Sequence, residues 1–157
     1  MPTVDRERCF SFAGDGCLRE WDVQTGKNVR TLRHGAIVFS ADTSPDGKLL
    51  ATCGGGVIRV WDAQTGDCVH TIAHWIEAKK NEDTGEDEPA RRESLGYVRF
   101  SQDNKRLYST GEKFSVHDVA SWSRLQGLDA STGSIFAMGA TQICTYSEKA
   151  VSIWDLP

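Results

Sequence analysis

One passage of this sequence is written twice, forty residues apart, and nothing else constrains the fold as much. Residues 14–34 read GDGCLREWDVQTGKNVRTLRH and residues 54–74 read GGGVIRVWDAQTGDCVHTIAH. Laid over each other, 11 of 21 positions are identical, among them Gly14/Gly54, Arg19/Arg59, Trp21/Trp61, Asp22/Asp62, Val29/Val69 and His34/His74. Apolar stands for apolar at Leu18/Ile58 and Leu32/Ile72. Such a period means that one supersecondary unit recurs. A unit this small cannot bury its own apolar face, so neighbours must stack and share a core.

Within each period the pattern is that of short strands. Residues 9–14 and 17–23 are two runs joined by a Gly-bearing turn, the signature of a β-hairpin, and 28–32 supplies a third strand after the turn Asp22-Val-Gln-Thr-Gly26. The aspartate of that turn can accept backbone hydrogen bonds, and its glycine tolerates positive φ. The next unit begins with a strand over 37–43, closed by Ser44-Pro45-Asp46-Gly47, and continues through 49–53, 57–63 and 68–72. Worn copies follow at 95–101, 106–110 and 114–119, and then at 124–128, 134–139, 142–147 and 150–156. His117-Asp118 stands where Trp-Asp stood before, and Trp154-Asp155 comes 37 residues later. Four short strands per period predict one antiparallel four-stranded sheet per unit.

Residues 75–94, WIEAKKNEDTGEDEPARRES, interrupt the rhythm with seven acids and four bases. Three of the chain's four net negative charges lie there, with almost no apolar side chain after Ile76. The expectation is a solvated loop, with a weak helical option over 76–81. The net charge of −4 gives no broad attraction to nucleic acid or anionic lipid. The basic residues Arg19, Arg30, Arg33, Arg59, Arg91 and Arg92 form no extended run. The opening MPTVDRERCFSFAG puts charges where a secretory leader is apolar, and no apolar run approaches membrane-spanning length, so neither segment is expected. Cys9, Cys17, Cys53, Cys68 and Cys144 show no C-x-x-C pair and read as reduced thiols, which favours a cytoplasmic or nuclear, intracellular setting.

The units resemble WD40 repeats, on three Trp-Asp pairs, two Thr-Gly turns, SPDG and two histidines at matching places. The resemblance implies an all-β fold: a β-propeller segment of about three and a half four-stranded antiparallel blades, its ring incomplete or completed by a partner. The units then run over about 9–22 (partial), 28–62, 68–119 with the acidic insertion 75–94, and 124–157. The family also implies a buried network in each unit. A tryptophan N–H bonds a Ser or Thr of the preceding strand, joined by a histidine from the inter-blade loop and an acid from a hairpin turn. The second unit offers His34, Thr52 and Trp61, with Gly55 in the acid's place. The first offers Ser11, Asp15 and Trp21 without a histidine. The third has His74, Ser109 and Glu112, but His117 replaces the tryptophan. The fourth keeps Thr145 and Trp154, with Glu148 near the acidic position. These residues, with Asp22, Asp62, Asp118 and Asp155, are implied to be structural.

Function follows less closely. The leading expectation is a non-catalytic protein–protein interaction scaffold, within a larger propeller or a multi-protein complex. Its partners would be proteins or peptides on the loop face, or a second copy or another chain completing the ring. Trp75 at the insertion's root is either an anchor for a partner or a lid over the blade, and Glu86, Asp87 and Glu88 would attract a basic partner. The alternative is a substrate-recognition subunit of a ubiquitin ligase or other regulatory complex. The arginine typical of that subgroup is replaced by Gln24, Gln64, Ala120 and Pro157. An enzyme is less favoured: no G-x-S-x-G, H-E-x-x-H or phosphate-binding glycine loop appears, and Gly54-Gly55-Gly56 lies between strands. No cofactor, metal, nucleic-acid or membrane role is expected. His70, aligned with Arg30, is expected to be solvated.

Overall fold

The computed structural model describes residues 8–76, 78–81, 86–111, 114–128, 134–137, 142–147 and 150–155. Every regular element among them is a strand. The first sheet has three strands in the order β1 (Arg8–Phe12), β2 (Cys17–Asp22), β3 (Asn28–Arg33). The second has four: β4 (Ser40–Thr43), β5 (Leu49–Gly54), β6 (Val57–Asp62), β7 (Cys68–Ala73). Two-residue strands follow: β8 (Trp75–Ile76), β9 (Lys79–Lys80), β10 (Asp87–Glu88) and β11 (Arg91–Arg92). The third sheet is β12 (Tyr97–Phe100), β13 (Arg106–Thr110), β14 (Phe114–Asp118), β15 (Arg124–Leu128). The fourth is β16 (Ser134–Ala137), β17 (Gln142–Ser147), β18 (Ala150–Asp155). Within these four sheets every pairing is antiparallel and joins chain neighbours, as in a meander.

The sheets are offset by one strand from the sequence units. Asn28–Arg33 pairs with β2, not with β4, and Cys68–Ala73 closes the second sheet. The reason is turn length. Asp22 N bonds Lys27 O and Gly26 N bonds Asp22 O, a tight reversal that keeps β2 and β3 adjacent. Residues 34–39 instead carry the chain to the next sheet. The aspartate organises the reversal: Asp22 Oδ1 accepts from Thr25 N and Thr25 Oγ1, both at 2.7 Å, and Asp62 and Asp118 serve the same turn. Gly26 and Gly66 take the positive-φ position of their turns, while the third turn forces Trp122 into it at φ 58.

A β-bulge recurs at one place in three sheets. The register shifts at Glu20/Trp21, Val60/Trp61 and Val116/His117, and the residue skipped on the edge strand is Val29, Val69 or Leu125. A bulged residue has no cross-strand partner and turns outward. These three apolar side chains are accordingly about half exposed, at 47%, 51% and 53%.

Two apolar layers join the sheets. Leu18, Leu32, Leu50 and Trp61 fill the space between the first and second. Ala51, Cys53, Ile58, Val60, Leu95, Val98, Phe100 and Leu107 fill the next. Each fully buried Leu, Ile or Phe contributes about 1.5–3 kcal/mol. Polar stitches fix the alignment of β12 against β4: Phe100 N donates to Asp42 Oδ2 at 2.7 Å and Val98 N to Ser40 Oγ at 3.4 Å. The SPDG turn meets its worn copy through Asp46 N donating to Asn104 Oδ1 at 3.0 Å.

Among the described residues, the insertion holds paired strands at 75–76, 79–80, 87–88 and 91–92 where composition predicts a loop, and none of 76 and 78–81 is helical. Arg92 pairs with Trp75 and Arg91 with Ile76, and further out Glu88 pairs with Lys79 and Asp87 with Lys80 in the same register. Backbone bonds extend the same register at both ends, Glu93 N to His74 O at 3.0 Å and Asn81 N to Glu86 O at 2.8 Å. The insertion is a two-stranded ribbon. In its register Lys79 stands opposite Glu88 and Lys80 opposite Asp87, so residues of opposite charge face each other across the two strands.

Candidate functional site

The histidines, tryptophans and hydroxyls singled out by the repeat are brought together sheet by sheet. In the second sheet His34 Nδ1 lies 2.9 Å from Thr52 Oγ1 and His34 Nε2 lies 3.0 Å from the Gly54 carbonyl. Trp61 Nε1 donates to Thr52 Oγ1 at 2.9 Å. A carbonyl only accepts, so Nε2 carries the proton and Nδ1 accepts from the Thr52 hydroxyl. All three side chains are buried. Every polar atom has a partner, and the Gly54 carbonyl does the work of the missing acid. Burial holds the His34 pKa below its ordinary value.

The first sheet has a looser version. Trp21 Nε1 donates to Ser11 Oγ at 2.7 Å, while Asp15 holds the Cys17 amide at 3.1 Å and Arg19 at 2.5 Å. The buried polar residue here is Glu20, which accepts from Arg8 Nη1 at 2.8 Å and from Arg30 Nε. Arg30 also reaches the next sheet, donating to Gln64 O at 3.0 Å and to Ala63 O. His70 repeats this junction one sheet later. Its ring stacks on Trp122, centroids 5.1 Å apart and planes 13° apart. It is half-buried, where the sequence suggested a solvated side chain, because the repeat places it against the next sheet's turn.

The third sheet is the unusual one. His117 occupies the tryptophan position, paired with Leu107 as Trp61 is with Leu50. His117 Nε2 lies 3.2 Å from His74 Nε2, and His74 Nδ1 lies 3.4 Å from Glu93 Oε2. His74, Glu93 and His117 are all buried. Among the described residues no hydrogen bond reaches His117 Nδ1, Ser109 Oγ or Ser115 Oγ. Burial, reinforced by His74, Arg124 and His70, pushes the His117 pKa down to about 4. Burial and Arg124 lower that of His74, against the pull of Glu93. Glu93, which sequence reasoning passed over, is the acid of this network, and Glu112 lies outside the described residues. The signal for Glu93 was the near-symmetric Lys79-Lys80 and Asp87-Glu88 about a turn-rich centre, which sets His74 opposite Glu93. Trp154 and Asp155 lie on β18, paired with Ile143 and Gln142, and Thr145 lies on β17; their side chains and Glu148 are outside the described set.

The ribbon roots in this third network. Trp75 follows His74 and is 59% exposed, with the Arg92 guanidinium 5.5 Å over its ring. Glu86 and Asp87 are exposed, and Glu88 accepts from Asn81 Nδ2 at 3.0 Å. No group of three or more His, Cys, Asp or Glu with metal-ligand geometry occurs among the described residues. Of the cysteines, Cys17 and Cys53 are buried and Cys9 and Cys68 exposed, all four free, and burial pushes the Cys53 thiol up to about 12.

Residues 26–62, which span one turn-to-Trp-Asp period, match the family model described as WD domain, G-beta repeat. The fold superposes on the structure of U3-55K and on the crystal structure of the RRP9 WD40 repeats, each with a TM-score of 0.81 at 22% identity. The fold is a WD40-type β-propeller segment. All of the chain is covered in both comparisons, against 48% and 47% of the two solved chains, so it spans about half their length. No curated protein sequence matches it. In WD40 terms the second sheet carries a buried His–Thr–Trp network without the acid, the first lacks its histidine, and the third has exchanged indole for imidazole.

Proposed function

We propose that this chain is a non-catalytic WD40 scaffold that binds another protein through the 75–92 ribbon. The observation that carries this reading is the contrast between two sets of polar residues. His34, His74, His117, Trp61 and Glu93, the residues that could do chemistry, are sealed inside the sheets, at 5% exposure or less. The ribbon is largely exposed and offers Trp75 beside Arg91 and Arg92, with the acids Glu86 and Asp87 further out. An exposed aromatic beside arginine is the composition of binding anchors, and the outer acids favour a partner with a basic segment. The four sheets act as one partial propeller domain that other blades complete, from a longer chain or from a second protein. The reduced thiols fit an intracellular, cytoplasmic or nuclear, location.

The test is cross-linking from the ribbon in cells, with a photoreactive residue at position 78 in otherwise unchanged protein and in Trp75→Ala. A discrete cross-linked protein that disappears in Trp75→Ala, with melting temperature unchanged, supports the reading. Cross-links that persist in the variant, or none at all, would remove the ribbon as the docking element.

A further inference from the structure

The ribbon is clamped at its root by two sheets at once. His74 N donates to Gly56 O at 3.0 Å, in the β5–β6 turn of the second sheet. A Cβ at Gly56 would sit 2.5 Å from Arg92 Cβ and 2.7 Å from Glu93 O. A Cβ at Gly111, in the third sheet, would sit 2.7 Å from Glu93 Oε1 and would strike Ser94 O. The two glycine turns therefore lie flush against the first rung. The side chains of that rung, His74 and Glu93, reach into the third sheet and end on His117.

We propose that His74, Glu93 and His117 form a buried latch holding the ribbon on the propeller, and that charging both imidazoles releases the ribbon while the sheets stay folded. Proton counting gives the behaviour. With both rings neutral, His74 Nδ1–H points to the Glu93 carboxylate and His117 Nε2–H donates to the bare His74 Nε2. One added proton keeps the ring-to-ring bond: His74 becomes an imidazolium beside Glu93, and its Nε2–H donates to His117, whose own proton moves to Nδ1 at the cost of a buried N–H without an acceptor among the described residues. A second proton is not. Both Nε2 atoms then carry hydrogen across 3.2 Å, and two buried like charges face each other. Arg124 on β15 opposes protonation of both imidazoles, His70 on β7 opposes that of His117, and Glu93 favours that of His74.

The second sheet's network responds differently. A protonated His34 can donate from Nδ1 to Thr52 Oγ1, which still accepts from Trp61 while its own hydrogen turns to Arg59 O at 3.4 Å. No contact is lost there. The imidazole at position 117 thus turns a structural network into a proton-sensitive one, because Trp61 has no site for a second proton. The latch acts on the ribbon whatever the ribbon binds.

Backbone hydrogen exchange from pH 7 to pH 4, corrected for intrinsic rates, tests this on the full chain. The amides of His74 and Glu93 are expected to lose protection by about tenfold or more relative to those of β5 and β6. In His117→Trp, and in His117→Gln should the indole not fit, they keep it, since one imidazole alone cannot make the repulsive pair. The latch is refuted by any of three results: ribbon and sheets losing protection together, ribbon amides unchanged in the native chain, or release at the same pH in a variant without the second imidazole.

Discussion

At the scale of single residues, satisfaction of hydrogen bonds decides which positions matter. Thr52→Val keeps the shape but strands His34 Nδ1 and Trp61 Nε1, both buried, and is expected to cost about 2–4 kcal/mol in urea unfolding. Ser11→Ala removes the matching bond to Trp21, but that pair is exposed and water replaces the hydroxyl, so about 0.5 kcal/mol or less is expected. Equal costs would mean that burial does not set the value of the network. Trp122 presents a competition. Its left-handed backbone costs about 1–2 kcal/mol, which glycine would recover. The stack on His70 and the buried indole face outweigh this at about 2–3 kcal/mol. Trp122→Gly should therefore destabilise by about 1 kcal/mol, and His70→Ala should add little in that background. His34, His74 and His117 all have lowered pKa values, so the unfolded chain binds their protons first. Stability conferred by these groups is intact above pH 6.5 and is lost as pH falls from 6.5 toward about 4. The urea midpoint should fall across that window, and a flat midpoint would mean the imidazoles are not held neutral. Trp21, Trp61, His34 and Thr52 were legible in sequence because the repeat aligned them. Glu93 was not legible from the repeat, because its place depends on the ribbon's pairing register, marked in sequence only by Lys79-Lys80 against Asp87-Glu88.

Elements show the same division. Strands and tight turns could be read from sequence because each has a local cause: alternating apolar residues, an aspartate at the turn, a glycine or its substitute at positive φ. The phase of the sheets could not, since d-type strands such as Asn28–Arg33 look alike whichever neighbour they join, and only the six-residue passage 34–39 carries the chain across. The bulge was equally hidden, yet it explains why Val29, Val69 and Leu125 are exposed at one recurring register. The ribbon is not legible from composition, because composition predicts solvation, and opposite charges placed across from each other on two short strands meet that prediction while the backbone still pairs. Its root gives an element-scale test. Gly111→Ala must push Glu93 and Ser94 away, at a cost of about 1–3 kcal/mol. Gly14→Ala has open space around its Cβ and should be near neutral. A Gly111→Ala chain as stable as the native one, by thermal unfolding, would mean that the ribbon is not clamped against the third sheet.

For the whole molecule the deciding feature is its edges. In the second and third sheets the second strand is covered by a first strand and sealed: Leu50, Ala51, Thr52 and Cys53 on β5 are buried, as are Leu107, Tyr108, Ser109 and Thr110 on β13. The equivalent strand β1 has no such neighbour among the described residues, and Cys9, Ser11 and Phe12 are exposed. At the other end, β18 pairs on one side only among the described residues. Unpaired backbone edges with apolar side chains recruit further strands. The chain by itself is therefore expected to show a mass above that of one copy, rising with concentration, in light scattering. A sharp dimer, constant across the series and melting cooperatively, would mean that two copies close a ring and supply each other's missing strands. A broad, growing distribution would mean that the edges await blades from elsewhere, and the search for a partner should then begin with proteins that offer them. A clean monomer at every concentration would overturn the expectation, and would require residues outside the described set to cap β1 and β18.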